Sequence, residues 1–304
     1  MNLLLPEKLK SGDTIGVIAP DKALKSTEKI ILENATKYFE SLGLNVKYGK
    51  YLFSDTEYCA GTPKQRAEDL DNMFCDKEVK AIFTVKGGKM ANGILPFVDF
   101  EVIKNNPKIF LGMSDITVLL CSIHKMTGLV TFHSQDYLWF GIEEKSDYDK
   151  KELIDKLFQG NKIITQYDER EFFNFGDEII KGKLYGTNAE CLLKLVGTPY
   201  MPDLKDAVVF LEGYRPNIVQ WNSMLEQYNQ MGAFSKAVVF GYIYQLQQEE
   251  RQDIVQELRK INQSIPVVKT NDFGHVHSNS ILPIGVEVCI DPKEKRITVE
   301  NYLK

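Results

Sequence analysis

Thr14 to Ala19 (TIGVIA) is a short apolar run closed by Pro20, the pattern of a buried strand. Between residues 27 and 42 the period changes. Ile30, Ile31, Ala35, Tyr38, Phe39 and Leu42 share one helical stripe, and Gly43 stops it. Asn45 to Tyr48 returns to a strand pattern. Thr62-Pro63-Lys64-Gln65 then opens a helix: Thr62 caps it, Pro63 fits the first helical position and Gln65 completes a capping box. Val79 to Val85 (VKAIFTV) and Ile109 to Gly112 read as strands, Asp115 to Met126 as a helix, and Leu129 to Phe132 as a strand. Strands alternating with helices need crossover connections, so this half predicts an α/β fold around a mostly parallel sheet.

The second half mixes helical patterns (187–196, 217–231, 248–262) with strand patterns (207–211, 237–241, 284–290, 296–300). It shows no clean alternation and reads as α+β or barrel-like. Between them, Glu143 to Asp177 is charged and irregular. At roughly 150 residues per domain, 304 residues predict about two domains. The boundaries are placed at 1–165 and 178–304, with 166–177 as linker. No internal repeat or low-complexity segment is visible.

Composition narrows the class. Lys and Arg number 37 against 42 Asp and Glu, a formal charge of −5, which argues against nucleic acid as a partner. Hydrophobic residues at 43% and aromatics at 11% supply two cores and exclude global disorder. No apolar stretch approaches the roughly 18 residues of a membrane helix. The leucine run at Leu3 to Leu5 is too short for a signal peptide, and Lys8 and Lys10 lie on its wrong side. The cysteines (Cys59, Cys75, Cys121, Cys191, Cys289) are odd in number and scattered, without C-x-x-C. Neither a disulfide framework nor a zinc site is expected, and a reduced, cytoplasmic chain is.

Four segments carry candidate chemistry. In Ile109 to Thr117 (IFLGMSDIT) a strand ends in Gly-x-Ser-Asp and a helix starts at once. Such a turn lifts Ser114 out of the sheet beside free backbone N–H groups, the logic of a nucleophile elbow. The pattern G-x-S-x-G is half met, since Ile116 stands at its last position; Ser114 or Asp115 as a plain helix cap is the alternative. Lys86-Gly87-Gly88-Lys89 follows a strand, where paired glycines let backbone N–H groups approach an oxyanion or simply turn the chain. Neither dinucleotide nor P-loop fingerprint is present. Asp272 to His277 (DFGHVH) holds two of the four histidines, the others being His124 and His133. The H-x-H spacing suits a general base, a metal pair lacking a recognised third ligand, or an inert loop. Val208 to Gly213 (VVFLEG) sets Glu212 at a strand end, either to orient an imidazole or to sit solvated on the rim.

Val85 to Asp136 (VKGGKMANGILPFVDFEVIKNNPKIFLGMSDITVLLCSIHKMTGLVTFHSQD) closely resembles the LD-carboxypeptidase and microcin C immunity family of serine peptidases. The likeness extends to GDTIGVIAP from Gly12, GTNAECLLKLVGTPYMPDLKDAVVFLEGY from Gly186, and Asp272 to His275 with LPIGV from Leu282. The resemblance implies a Rossmann-like parallel-sheet domain, a smaller β-rich α/β C-terminal domain and an active site between them. It implies Ser114 as nucleophile, His275 as base and Glu212 as the acid that orients it. Gly88 and Asp115 would supply oxyanion amides. No metal or organic cofactor is implied, and homodimers are. Lys86, Lys89 and Asn188 are candidate partners for a substrate carboxylate.

The implied activity removes a terminal D-amino acid from murein peptides, as in cell-wall recycling. The other activity in the family cleaves a microcin C-type aminoacyl nucleotide and needs an aromatic platform for adenine. Tyr137, Trp139 and Phe140 are candidates for it, or core. The expected ligand is therefore a small peptide or an aminoacyl nucleotide, with no nucleic acid or membrane partner. Gly87 to Asn92 (GGKMAN) is closer to the microcin-immunity branch. Departures lie at Met113, Ser134-Gln135, Thr187 and Val276 to Asn279, where the family has Gly-Tyr-Ser-Asp, Gly-Pro, Gly-Gly-Asn-Leu and Thr-x-Pro-Met, and at Gly213, where it usually has LED.

Overall fold

The computed structural model describes residues 2–142 and 147–304; residues 143–146, the start of the charged stretch, lie outside it. The first half runs β1 (Thr14–Ile18), α1 (Lys29–Ser41), β2 (Asn45–Tyr48), α2 (Pro63–Cys75), β3 (Val79–Thr84), α3 (Phe100–Asn105), β4 (Ile109–Gly112), α4 (Thr117–Thr127) and β5 (Thr131–His133). The capping box forms: the Gln65 N–H donates to Thr62 Oγ1 at 3.3 Å, and the Thr62 N–H donates to Gln65 Oε1 at 2.8 Å. The α1 stripe is rotated from expectation. Within the helix (Lys29–Ser41, after a 3₁₀ turn at Ser26–Glu28) Ile30 falls on the face roughly opposite Ala35 and Phe39 and is exposed, whereas Leu32 shares their face and is buried.

The second half continues with α5 (Asp147–Leu153), β6 (Glu171–Phe173), β7 (Ile180–Asn188), α6 (Ala189–Leu193), β8 (Ala207–Gly213), α7 (Ile218–Gln230), β9 (Ala237–Ile243), α8 (Ile254–Ile261), β10 (Val267–Gly274), β11 (Leu282–Ile284), β12 (Glu287–Asp291) and β13 (Arg296–Val299). From β7 to β10 strand and helix alternate cleanly, against the mixed reading of the residue pattern. Two strands had been hidden. β7 begins as the polar IKGK, and β10 ends in Thr270-Asn271-Asp272. In β7 Lys181 and Lys183 are simply exposed, whereas in β10 the buried Asp272 is satisfied by Arg170 and the Tyr167 N–H, which no local pattern records.

Two sheets result. The first is six-stranded, in the order β11-β5-β4-β3-β1-β2, parallel throughout except for β11. The second is seven-stranded, β13-β12-β7-β8-β9-β10-β6, with β7 to β10 parallel and the remaining strands antiparallel. Pairing crosses the expected boundary. β11 pairs with β5 of the first sheet, and β6, within the 166–177 stretch, pairs with β10. Among the described residues no helix is long and apolar enough to cross a membrane.

The two parallel cores meet through α4, the helix that follows Ser114. Thr117 Oγ1 accepts the Asn188 N–H at 3.2 Å and meets Thr187 Oγ1 at 3.3 Å, while the Cys121 thiol donates to the Gly186 carbonyl at 3.0 Å. The carboxyl end of β4 is thereby set against the carboxyl ends of β7 and β8. In open parallel sheets that edge is where ligands bind.

Candidate active site

Ser114 stands just past β4 with φ of 60°, in the left-handed region, as a strained strand-to-helix elbow requires. Space for it depends on Gly87, where a Cβ would lie 2.7 Å from Ser114 Cβ and 3.2 Å from its Oγ. Glu212 ends β8 and His275 follows β10. Glu212 Oε2 is 2.6 Å from His275 Nδ1, and its Oε1 accepts the Asn188 Nδ2–H at 2.9 Å. Asn188 is its register partner on β7. Glu212 is fully buried, so the solvated-rim alternative falls.

The electrostatics follow from this pairing. Burial alone would raise the Glu212 carboxyl; the charge and hydrogen bond of His275, with His133 and Asn188, outweigh it and hold the carboxyl below its ordinary value. Burial pulls His275 down, but Glu212, with Asp136 behind it, lifts the imidazole above its ordinary value. His133 and His124 are buried histidines pushed down to about 4, chiefly by desolvation. His133 Nδ1 is bound to Thr187 Oγ1 at 2.7 Å.

His275 and Ser114 open onto two adjoining cavities of about 220 and 300 Å³, both also lined by Gly88, Lys89, Tyr214 and Arg215. The Tyr214 ring stacks on His275 with centroids 5.4 Å apart and planes at 5°, and the Arg215 guanidinium lies 5.2 Å from the Tyr214 ring centroid. Asp136 lines the larger cavity. Burial pushes its carboxyl up to about 7 against His275 and the amides of Gly87 and Met113.

The expected carboxylate partners divide. Lys89 lines both cavities. Lys86 is instead paired with Glu28 at 2.5 Å. Asn188 lines the smaller cavity, but its Nδ2 holds Glu212 and its Oδ1 accepts the Cys191 N–H at 3.0 Å, capping α6. Gly88 and Asp115 flank Ser114. Asp115 is buried, accepts the Ala91 N–H at 2.8 Å and pairs with Lys194.

The H-x-H rings do not act together. Val276 takes φ of 53°, and His277 turns away between Tyr167 and Tyr242, with centroids at 4.6 and 4.8 Å. Among the described residues no group of three or more His, Cys, Asp and Glu is placed to hold a metal ion. The aromatic candidates are also corrected. Tyr137 and Phe140 are buried against α1, stacked on Phe39 and Tyr38, and Trp139 Nε1 donates to Asp149 Oδ2 at 3.0 Å. None of the three lines the cavities. Residue patterns missed Tyr214, Arg215, Asp136, Lys194 and Asp21. Tyr214 and Arg215 carried a signal, since they follow the strand-end Glu212 after a single glycine.

This fold and cleft are those of a two-domain α/β peptidase. The family model of the LD-carboxypeptidase N-terminal domain matches residues 15–134, and that of the C-terminal domain matches residues 181–290. The chain belongs to the LD-carboxypeptidase family. A Bacillus subtilis relative named probable murein peptide carboxypeptidase is 33% identical, over 97% of this chain and 94% of its own. The Escherichia coli microcin C7 self-immunity protein MccF is 26% identical, over 99% of this chain and 97% of its own. Wild-type apo MccF superposes with a TM-score of 0.90 at 25% identity, covering 99% of this chain and 100% of that one. The MccF-like protein from Bacillus anthracis gives 0.87 at 29%, covering 98% and 99%.

Proposed function

We propose that this chain is a serine carboxypeptidase of the murein-peptide LD type, cleaving an amide bond beside a terminal carboxylate. The observation that carries the reading is the 2.6 Å Glu212–His275 bond opening onto the same cavities as the Ser114 elbow. Ser114 Oγ attacks the amide carbonyl while His275 takes its proton. Glu212 occupies Nδ1, so Nε2 is the nitrogen that faces the reaction. The amides of Gly88 and Asp115 bind the oxyanion, and His275 returns the proton to the leaving amine. Water, activated by the same imidazole, releases the acyl group. Lys89 and Arg215 are the cationic side chains shared by both cavities and suit a substrate carboxylate.

A second reading, an aminoacyl-nucleotide hydrolase of the microcin C type, has its own support. Tyr214 presents an aromatic ring to both cavities, and MccF, solved in complex with aspartyl sulfamoyl adenosine, shares the fold over the whole chain. A mass-spectrometric hydrolysis screen of murein tri-, tetra- and pentapeptides against aminoacyl-sulfamoyl adenosines decides between them. Release of a terminal D-amino acid from the tetrapeptide is expected; cleavage of the adenosines alone would overturn the first reading. Ser114→Ala should lose several orders of magnitude in kcat while keeping its circular dichroism. Turnover within about tenfold of the parent would remove Ser114 as nucleophile.

A further inference from the structure

Behind the glycine loop lies a buried ionic lattice that the mechanism above does not use. It grips the loop at successive backbone groups. The Met90 N–H donates to Asp21 Oδ2 at 3.1 Å and the Ala91 N–H to Asp115 Oδ2 at 2.8 Å. Lys194 Nζ donates to the Lys89 carbonyl at 3.1 Å and pairs with Asp115. Arg66 Nη1 donates to the Met90 carbonyl at 3.0 Å and the Pro20 carbonyl at 2.6 Å. Asp21 and Asp115 are both fully buried, and their carboxyls hold the N–H groups of neighbouring loop residues, which sets them side by side beneath the loop. The Asp21 carboxyl lies so close to Gly88 that a Cβ there would collide with it.

We propose that Asp21 and Asp115 share a single proton, and that this carboxyl–carboxylate bond positions the Gly88 amide for the oxyanion, making Asp21 a positioning residue of the reaction. The inference rests on the oxyanion role given to Gly88 and Asp115 above. Two carboxyls cannot hydrogen-bond to each other unless one carries a proton. Asp115 is the charged member. Burial works against its charge, but Asp21, Lys194 and the Ala91 amide outweigh it and hold it below the ordinary range. Asp21 is the protonated member. Burial first, then Asp115, push it up to about 7, against the Met90 amide and the Arg66 charge. The other titratable groups facing the pair are the Cys59 and Cys191 thiols, both raised by burial and neutral.

The sign follows. When Asp21 ionises, two buried carboxylates face each other and repel, and the loop they brace loosens. Oxyanion binding therefore weakens as pH rises through the Asp21 value, while His275 controls the acid side. Asp136, which faces the Gly87 amide of the same loop, is raised to a similar value, so its variant must be compared.

The test is the rate of covalent labelling by a fluorophosphonate across about pH 5 to 10, with the modified residue mapped by mass spectrometry. The full-length chain is used as parent, Asp21→Asn, Asp21→Ala and Asp136→Asn. The parent should give a bell-shaped profile. Asparagine at 21 donates to Asp115 and cannot ionise, so the alkaline fall should vanish while labelling near the optimum is rescued. Alanine should cost on the order of 10²-fold at every pH, as a displaced catalytic group does. Asp136→Asn should keep the alkaline fall. If Asp21→Ala fails to fold, the Asp21→Asn profile decides. An alkaline fall that persists in Asp21→Asn overturns the shared proton. Labelling elsewhere than Ser114 overturns the triad and this proposal together.

Discussion

Glu212 and His275 move each other's proton affinity in opposite directions, the carboxyl down and the imidazole up. Burial is the largest single influence and opposes both shifts; the pair's mutual charge and 2.6 Å bond, helped by His133 and Asn188 on one side and Asp136 on the other, together outweigh it. The consequence is a pH dependence with a definite sign. In the proposed mechanism the free enzyme needs His275 neutral to accept the Ser114 proton, and the raised value moves that ionisation upward. On its acid limb kcat/KM should therefore rise with pH through one midpoint above the ordinary imidazole value. Glu212→Gln removes the charge that lifts the imidazole. The midpoint should fall, and kcat should drop by roughly two orders of magnitude or more. A variant with parental kcat and an unmoved midpoint would separate Glu212 from the chemistry.

The elements that carry the site owe their starts to short-range bonds. α2 begins at a capping box whose two hydrogen bonds satisfy N–H groups that an uncapped first turn leaves open. Thr62→Ala should lower stability by about 1 kcal/mol, read as a shifted urea midpoint with an unchanged slope. An unmoved midpoint would mean that Pro63 and helix packing alone hold the start. α4 begins differently. It has no such box, and the Ser114 elbow reaches it through the 3₁₀ turn Ser114–Ile116, whose Asp115 points back into the buried ionic lattice.

Across the whole molecule, bonds between distant segments hold the His275 loop. Arg170 Nε donates to Asp272 Oδ2 at 2.6 Å, and the Tyr167 N–H donates to Asp272 Oδ1 at 2.7 Å. Asp149 accepts the Asn279 N–H at 2.8 Å and the Ser278 hydroxyl at 3.0 Å. Asp272 is thus tied to a buried Arg170 and not to the imidazole. Asp272→Asn leaves that guanidinium buried without its counter-charge and should cost about 3–5 kcal/mol in denaturant unfolding. The kcat/KM midpoint of the folded variant should stay where the parent has it. A midpoint that moved as it does in Glu212→Gln would make Asp272 the partner acid instead.

Local periodicity was enough for β1 to β4, for the Thr62 cap and for the strand-to-helix turn at Ser114, because each is specified by neighbours within a few residues. The same reading reached Glu212 and His275 as a strand-end acid and a loop imidazole, with bland alternatives beside each. Tertiary structure decided what local pattern had no means to state. β7 hid because its first half is polar and exposed, and β10 because the distant Arg170 and Tyr167 satisfy its buried Asp272. Ile30 is exposed because it lies about half a turn around α1 from Phe39, off the face that packs on the core. Lys86 looked free beside the glycines until Glu28, 58 positions away, was brought to it. Tyr137 and Phe140 looked like a platform until α1 covered them. Asp21, Asp115 and Lys194 lie far apart in the chain, and only the close approach of two sheet edges makes them one buried group. Burial and proximity set their charges, and both are properties of the folded chain alone.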